Sequence, residues 1–205
     1  MGPILFACVV TTLTIVQYDF MRGLGWDPIH APTFDWPSGL SLGPYGLWMT
    51  LTFILSGLLM ATFALALRNA LDEGKAPRIG TLGLLLSGCA LIGLAFTTDP
   101  TIRSTPPTWH GRLHDLSFVL LGVFMLLSLL GLGQAFQNDP RWRRFGLYTF
   151  ITAACAIPSF ALKGVAFYLF LIAILIWSLA ISIKLFLLSD AISSQEIRGI
   201  QKNSS

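Results

Sequence analysis

Residues 45–67 read YGLWMTLTFILSGLLMATFALAL, an apolar run with no charged side chain until Arg68. At about 1.5 Å of rise per helical residue, about 20 such residues cross the roughly 30 Å hydrocarbon core of a bilayer. A surface helix of a soluble domain would show a polar face within that length. The run reads as a membrane span, and the rest of the chain is organised around others like it.

Ile79 to Phe96 follows the polar link RNALDEGKAPR and stops at TTDP, where Asp99 and Pro100 mark the helix end. Leu113 to Phe136 lies between the loop TIRSTPPTWHGR and the link QNDPRWRR. A weaker run, FGLYTFITAACAIPSFAL, contains Pro158, which a bundled membrane helix tolerates because its neighbours re-satisfy the freed carbonyl. Lys163 and Gly164 then turn the chain tightly into Val165 to Leu188, with Lys184 near the end to snorkel. The N-terminal MGPILFACVVTTLTIVQYDF has no basic n-region and no small-residue cleavage site, so it reads as a retained first helix. It is short for a span, at about 17 residues before Asp19. The expected fold is all-α, a polytopic transmembrane six-helix bundle forming one domain over 1–190, with a polar, frayed tail over 191–205. Between the first two helices, MRGLGWDPIHAPTFDWPSGLSLGPYG is too rich in Gly and Pro for a regular element, and its Trp26, Phe34 and Trp36 suit an ordered lid at the interface.

Composition agrees. The 205 residues are 54% hydrophobic and 11% charged, with mean hydropathy +0.72; a soluble domain carries about a quarter charged residues. Disorder, fibrous repeats, a nucleic-acid reader and a water-soluble globular domain are excluded. Cys8, Cys89 and Cys155 lie in apolar runs, form no CxxC pair and read as small packing residues. Gly57/Ala61, Gly83/Ser87 and Cys89/Gly93 have the small-xxx-small spacing that lets membrane helices approach closely. Trp142 reads as an interface anchor and Trp177 as a packing residue.

Orientation follows from the basic residues. Arg68, Lys75, Arg78, Arg141, Arg143, Arg144, Lys184, Arg198 and Lys202 fall on one side of the six-span plan. Arg22, Arg103, Arg112 and Lys163 fall on the other. The positive-inside rule therefore places both termini in the cytoplasm of a cell-membrane protein.

Polar chemistry gathers on the outer side. The spans carry scattered serines and no Asp, Glu or Arg at their middles. This argues against a proton relay or pump. His30, His110 and His114 all lie outside, with Asp19, Asp27, Asp35, Asp99 and Asp115. In TWHGRLHD, His110 and His114 stand one turn apart on one helical face, with Asp99 closing the preceding helix. That H-x-x-x-H spacing suits two metal ligands on a helix, with a carboxylate third, so His110, His114 and Asp99 are candidate ligands for zinc or another divalent metal. The competing reading is a structural network in which Asp99 and Asp115 accept from His, Trp109 or the arginines. A third is a lipid head-group site made by Arg103, Arg112, Asp115, Trp109, His30 and the other histidines. Haem fits poorly, because His110 and His114 share one helix. No G-x-S-x-G or glycine-rich nucleotide loop is present.

The segments SLGPYGLWM, AFTTDP and HGRLHD resemble those of a bacterial domain-of-unknown-function family of small six-helix membrane proteins. That family is grouped with eukaryotic autophagy-modulator and lipid-remodelling membrane proteins. The resemblance spans about Thr11 to Leu188 and centres on Asp99, Gly111 and His114. It implies the six-helix fold and supplies no reaction, substrate or cofactor.

Two classes of function follow. One is a non-enzymatic membrane protein that binds a lipid, a hydrophobic small molecule or a membrane partner. The other is a small membrane hydrolase, or a lyase or cyclase, acting on a lipid or isoprenoid. Its His110 and His114 would serve as base or metal ligands, Asp99 as orienter, and Arg103 or Arg112 as anion clamp. The enzyme requires His110, His114 and Asp99 to converge on an open cavity.

Overall fold

The computed structural model describes the backbone of residues 1–102, 106–162 and 165–203, and the side chains of these residues apart from 157–162 and 190–203. Arg103 and the turn expected at Lys163–Gly164 lie outside the described residues. The protein is all-α. Its elements in order are α1 (Gly2–Val16), α2 (Tyr18–Gly23), a 3-10 turn (Ser38–Ser41), α3 (Gly46–Ala70), α4 (Lys75–Gly93), α5 (Trp109–Asn138), α6 (Arg143–Leu162) and α7 (Val165–Asn203).

Among the described residues, four helices are long and apolar enough to cross a membrane: α3, α4, α5 and the Val165–Ser189 part of α7. The expected count of six is thus met in part. α1 has 15 residues, about 22 Å of helix, shorter than the hydrocarbon core. Only 17% of an 18-residue apolar window within Val165–Ser189 is buried against protein. Ile172, Ile176, Ile183 and Phe186 stand exposed on it, a pattern that a lipid environment explains and water does not. The backbone of α7 stays helical through Asn203, where the sequence suggested a frayed tail from residue 191.

Glycines set how closely the central helices approach. A Cβ on Gly57 would stand 2.5 Å from the Gly88 carbonyl oxygen, and one on Gly88 would stand 3.0 Å from the Ala61 nitrogen. The Gly57/Ala61 face of α3 therefore packs directly on α4. On the other side of α4, Gly80 meets Gly131, and the Ser128 hydroxyl donates to the Gly80 carbonyl at 2.8 Å. Gly83 faces Ser128, as its spacing suggested, whereas Cys89 is exposed. Cys8 and Cys155 are exposed as well. The thiols therefore stand on outward faces and not in packing positions.

Trp142 also departs from expectation. It is fully buried and stacked on Phe136, ring centroids 5.0 Å apart, and so is a core residue, not an interface anchor. Trp177 packs as expected, and its indole donates to Thr149 Oγ1 at 2.9 Å. Beside Trp142, the Arg141 guanidinium donates to Asp139 at 2.7 Å, Asp72 at 3.1 Å and the Ala70 carbonyl at 3.3 Å. One arginine thereby joins the α3–α4 link to the α5–α6 link.

The segment between α2 and α3 folds as an ordered lid over the opposite end. Trp26 and Leu40 are buried in it. The Trp26 indole donates to the Pro32 carbonyl and to Tyr168 of α7, and the Tyr168 hydroxyl donates to Pro32. The Trp36 indole donates to Thr14 of α1 and its ring stands edge-on to Tyr168, 4.8 Å away. The lid therefore ties the first helix to the last.

Candidate functional site

Four side chains build the lid-end cluster where α4 ends and α5 begins. Thr108 caps α5, its hydroxyl accepting from Gly111 N–H at 3.1 Å. The Asp99 carboxylate accepts from the Thr108 backbone N–H and the Thr108 hydroxyl, both at 2.8 Å. Gly111 is required beneath it, because a Cβ there would stand 2.1 Å from Asp99 Oδ2. The cap is thus anchored to Asp99, within the link between α4 and α5.

The two histidines work as a pair, on backbone. His110 Nδ1 lies 2.9 Å from the Thr97 carbonyl oxygen and 2.9 Å from Thr108 Oγ1. His114 Nδ1 lies 3.1 Å from the Leu94 carbonyl oxygen and 2.8 Å from that of Phe96. Carbonyls only accept, so both Nδ1 atoms carry the proton. Carbonyls at a helix C-terminus have no partner within their helix. The i, i+4 spacing on α5 presents two donors to those that follow α4. In the neutral ring, His114 Nε2 accepts from the Ser38 hydroxyl of the lid at 2.9 Å. His114 is buried and edge-on to Phe53, so one imidazole holds α5, the end of α4 and the lid together.

The remaining expected residues are dispersed. The Asp35 carboxylate accepts from Thr101 N–H at 3.0 Å and from the Thr101 hydroxyl at 2.5 Å, a second tie between lid and α4–α5 link. Asp35 holds a left-handed backbone, φ 53°, which aspartate tolerates better than most residues. His30 is exposed and accompanies Asp27, whose carboxylate accepts from the Ile29 and His30 backbone N–H groups and from Arg22. The bonds from the His30 N–H and the Arg22 guanidinium hold the Asp27 carboxyl far below the usual carboxylate range. Arg112 and Asp115 are exposed, and Trp109 is exposed beside Phe96 and His110.

Among the described residues, no group of three His, Cys, Asp or Glu side chains is placed to hold a metal ion. His110 and His114 turn Nδ1 to backbone carbonyls, and Asp99 turns its oxygens to Thr108. Gln17 was missed by sequence reasoning. It is buried, its amide donates to the Leu40 carbonyl, and its oxygen accepts from Tyr45 N–H. Its only sequence signal is a lone amide between an apolar helix and the lid.

A cavity of about 210 Å³ lies within the bundle among α1, α3, α4, α5 and α7. Phe6, Leu59, Phe63, Leu91, Leu121 and Leu175 are among its walls, with Met1 and Pro3 at one end and Ser56, Ser178 and Ser182 supplying hydroxyls. Among the described residues, no Asp, Glu, Lys, Arg or His side chain lines it, so neither His110, His114 nor Asp99 reaches it. A second cavity, at the end away from the lid, has Asp72, Glu73, Lys75 and Asp139 among its walls and likewise lacks the lid-end cluster.

Four long apolar helices with outward-facing apolar side chains define a multi-pass membrane protein. The chain belongs to the family described as "protein of unknown function (DUF998)", which matches residues 6–184. An uncharacterised family over nearly the whole chain was expected from the sequence; the match does not extend to a bacterial source or to autophagy-modulator proteins. No curated protein and no solved structure matches the chain.

Proposed function

We propose that this is a non-enzymatic membrane protein that binds a lipid or other apolar small molecule inside its helical bundle. The observation that carries the reading is the cavity walled by Phe6, Leu59, Phe63, Leu91, Leu121 and Leu175, with no ionisable side chain among the described residues that line it. Pockets of this character, apolar walls with few polar groups, are where small ligands bind. In this reading α1 and α6 complete six spans, both termini face the cytoplasm, and the lid lies outside. His110, His114 and Asp99 hold the lid-end framework, and neither catalysis nor a metal is assigned to them. Two facts support that assignment: both His Nδ1 atoms engage backbone carbonyls, and neither cavity reaches these residues.

The test is to purify the protein in mild detergent and identify retained lipids by mass spectrometry. Wild type should carry an apolar species near one per chain. Met60→Trp and Ser182→Phe, which fill the cavity from two walls, should each lose at least fivefold of it. Equal lipid retention by wild type and both folded variants would overturn the reading.

A further inference from the structure

Arg141, Arg143 and Arg144 stand together in QNDPRWRR, yet the fold uses them differently. Arg141 is taken by Asp139 and Asp72. Arg143 and Arg144 open α6, both exposed, and among the described residues neither guanidinium has a hydrogen-bond or ion-pair partner. The first turn of α6 holds no acidic side chain, so the positive end of the helix dipole adds to two uncompensated charges. Below them the outward face is apolar. Leu147 and Ile151 follow Arg143 at i+4 and i+8 and Arg144 at i+3 and i+7, so all four share one face. Leu147 and Ile151 are 62% and 53% exposed, and they lie about 5 Å and 11 Å deeper than Arg144. α4 begins with the same order, Lys75 and Arg78 exposed above exposed Ile79 and Leu82. Arg141 joins Asp72, just before α4, to the turn just before α6, so both helices start at one end of the bundle.

We propose that the start of α6 is a binding site for an anionic phospholipid of the surrounding leaflet, its phosphate held by Arg143 and Arg144 and an acyl chain laid along Leu147 and Ile151. The site lies on the outside of the bundle and does not rest on the cavity reading. An apolar face this exposed meets lipid, so the arginines one turn above it meet the head-group layer. Guanidinium groups fit phosphate oxygens through paired N–H donors and stay charged there. A net-negative lipid is favoured over a zwitterionic one. The zwitterion brings its own cation to two arginines, and the carboxylate of the same link, Asp139, already serves Arg141. The lid end offers no equal. The outward stripe of α5 there, Trp109, Arg112, Leu116 and Val119, has one arginine, with Asp115 exposed one turn further on.

The test uses the full chain in phosphatidylcholine nanodiscs doped with a trace of diazirine-tailed phosphatidylglycerol or diazirine-tailed phosphatidylcholine. Photolabelling is read by mass spectrometry on the peptide that carries Leu147 and Ile151. In wild type the phosphatidylglycerol probe should label it about five- to twentyfold more than the phosphatidylcholine probe, since each cation at an anionic lipid contributes about fivefold. Arg143→Gln/Arg144→Gln changes exposed side chains and should fold; it should bring the two probes level and leave phosphatidylcholine labelling as in wild type. Arg143→Lys/Arg144→Lys keeps both charges and should retain most of the preference. Equal labelling by the two probes in wild type, or a preference that survives the glutamine variant, overturns the site. So does an equal preference on the lid-end peptide that carries Leu116 and Val119, which would mark a property of the whole lipid-facing surface. None of these outcomes touches the cavity reading, which stands or falls on retained lipid and Met60→Trp.

Discussion

At the scale of single residues, Gly111 shows how one missing side chain organises the lid end. Its backbone N–H is held by the Thr108 cap and its Cα faces the Asp99 carboxylate. Gly111→Ala would force a Cβ to 2.1 Å from Asp99 Oδ2. It should destabilise the protein by about 1–3 kcal/mol. Gly23→Ala is the control, since nothing lies within 4 Å of the added atom, and it should change stability by less than about 0.5 kcal/mol. Thermal unfolding in detergent measures both, and equal midpoints for the two variants would contradict the contact. HGRLHD displayed Gly111, His110 and His114 at readable spacing. The partners of the two histidines were not readable, because they are backbone carbonyls in the stretch that follows α4, and a carbonyl leaves no mark in a sequence.

At the scale of elements, Arg141 couples two links that are far apart in the chain. Its hydrogen bonds hold the Asp139 carboxyl below the usual range, and Asp139 raises the guanidinium in return. The folded value lies below the unfolded one, near 3.9. The stabilisation is therefore complete above that value and is lost as pH falls through the folded value. Asp139→Asn should cost about 1–2 kcal/mol at pH 7, a range reduced because Arg141 is half-exposed. The gap between variant and wild type should narrow below pH 4. Unfolding midpoints from pH 7 to pH 3 decide it, and a gap independent of pH would count against the pair. The helix runs themselves were legible, since each must be apolar to meet lipid. The Gly80–Gly131 contact was not, because each glycine becomes informative only when the other helix is placed against it.

At the scale of the whole molecule, the four long helices place the lid and the Arg141 cluster at opposite ends, and in the proposed orientation the lid faces outside. In a chain whose three native cysteines are replaced by alanine, His30→Cys should react with a membrane-impermeant thiol reagent in intact cells. Gln201→Cys should react only after permeabilisation. Labelling of position 201 in intact cells would reverse the orientation.

The sequence alone determined that this chain lives in a membrane, where its long apolar helices run, and that its histidines gather at one end. Those properties follow from local composition, because lipid excludes charge residue by residue. Tertiary structure alone decided that Trp142 is core, that Cys8, Cys89 and Cys155 face outward, and that His110 and His114 hold backbone carbonyls. It also decided that a cavity lies among α1, α3, α4, α5 and α7. Each of these depends on which helix lies opposite, and a cavity is defined by surfaces that do not meet, so neither is written in any single stretch of the chain.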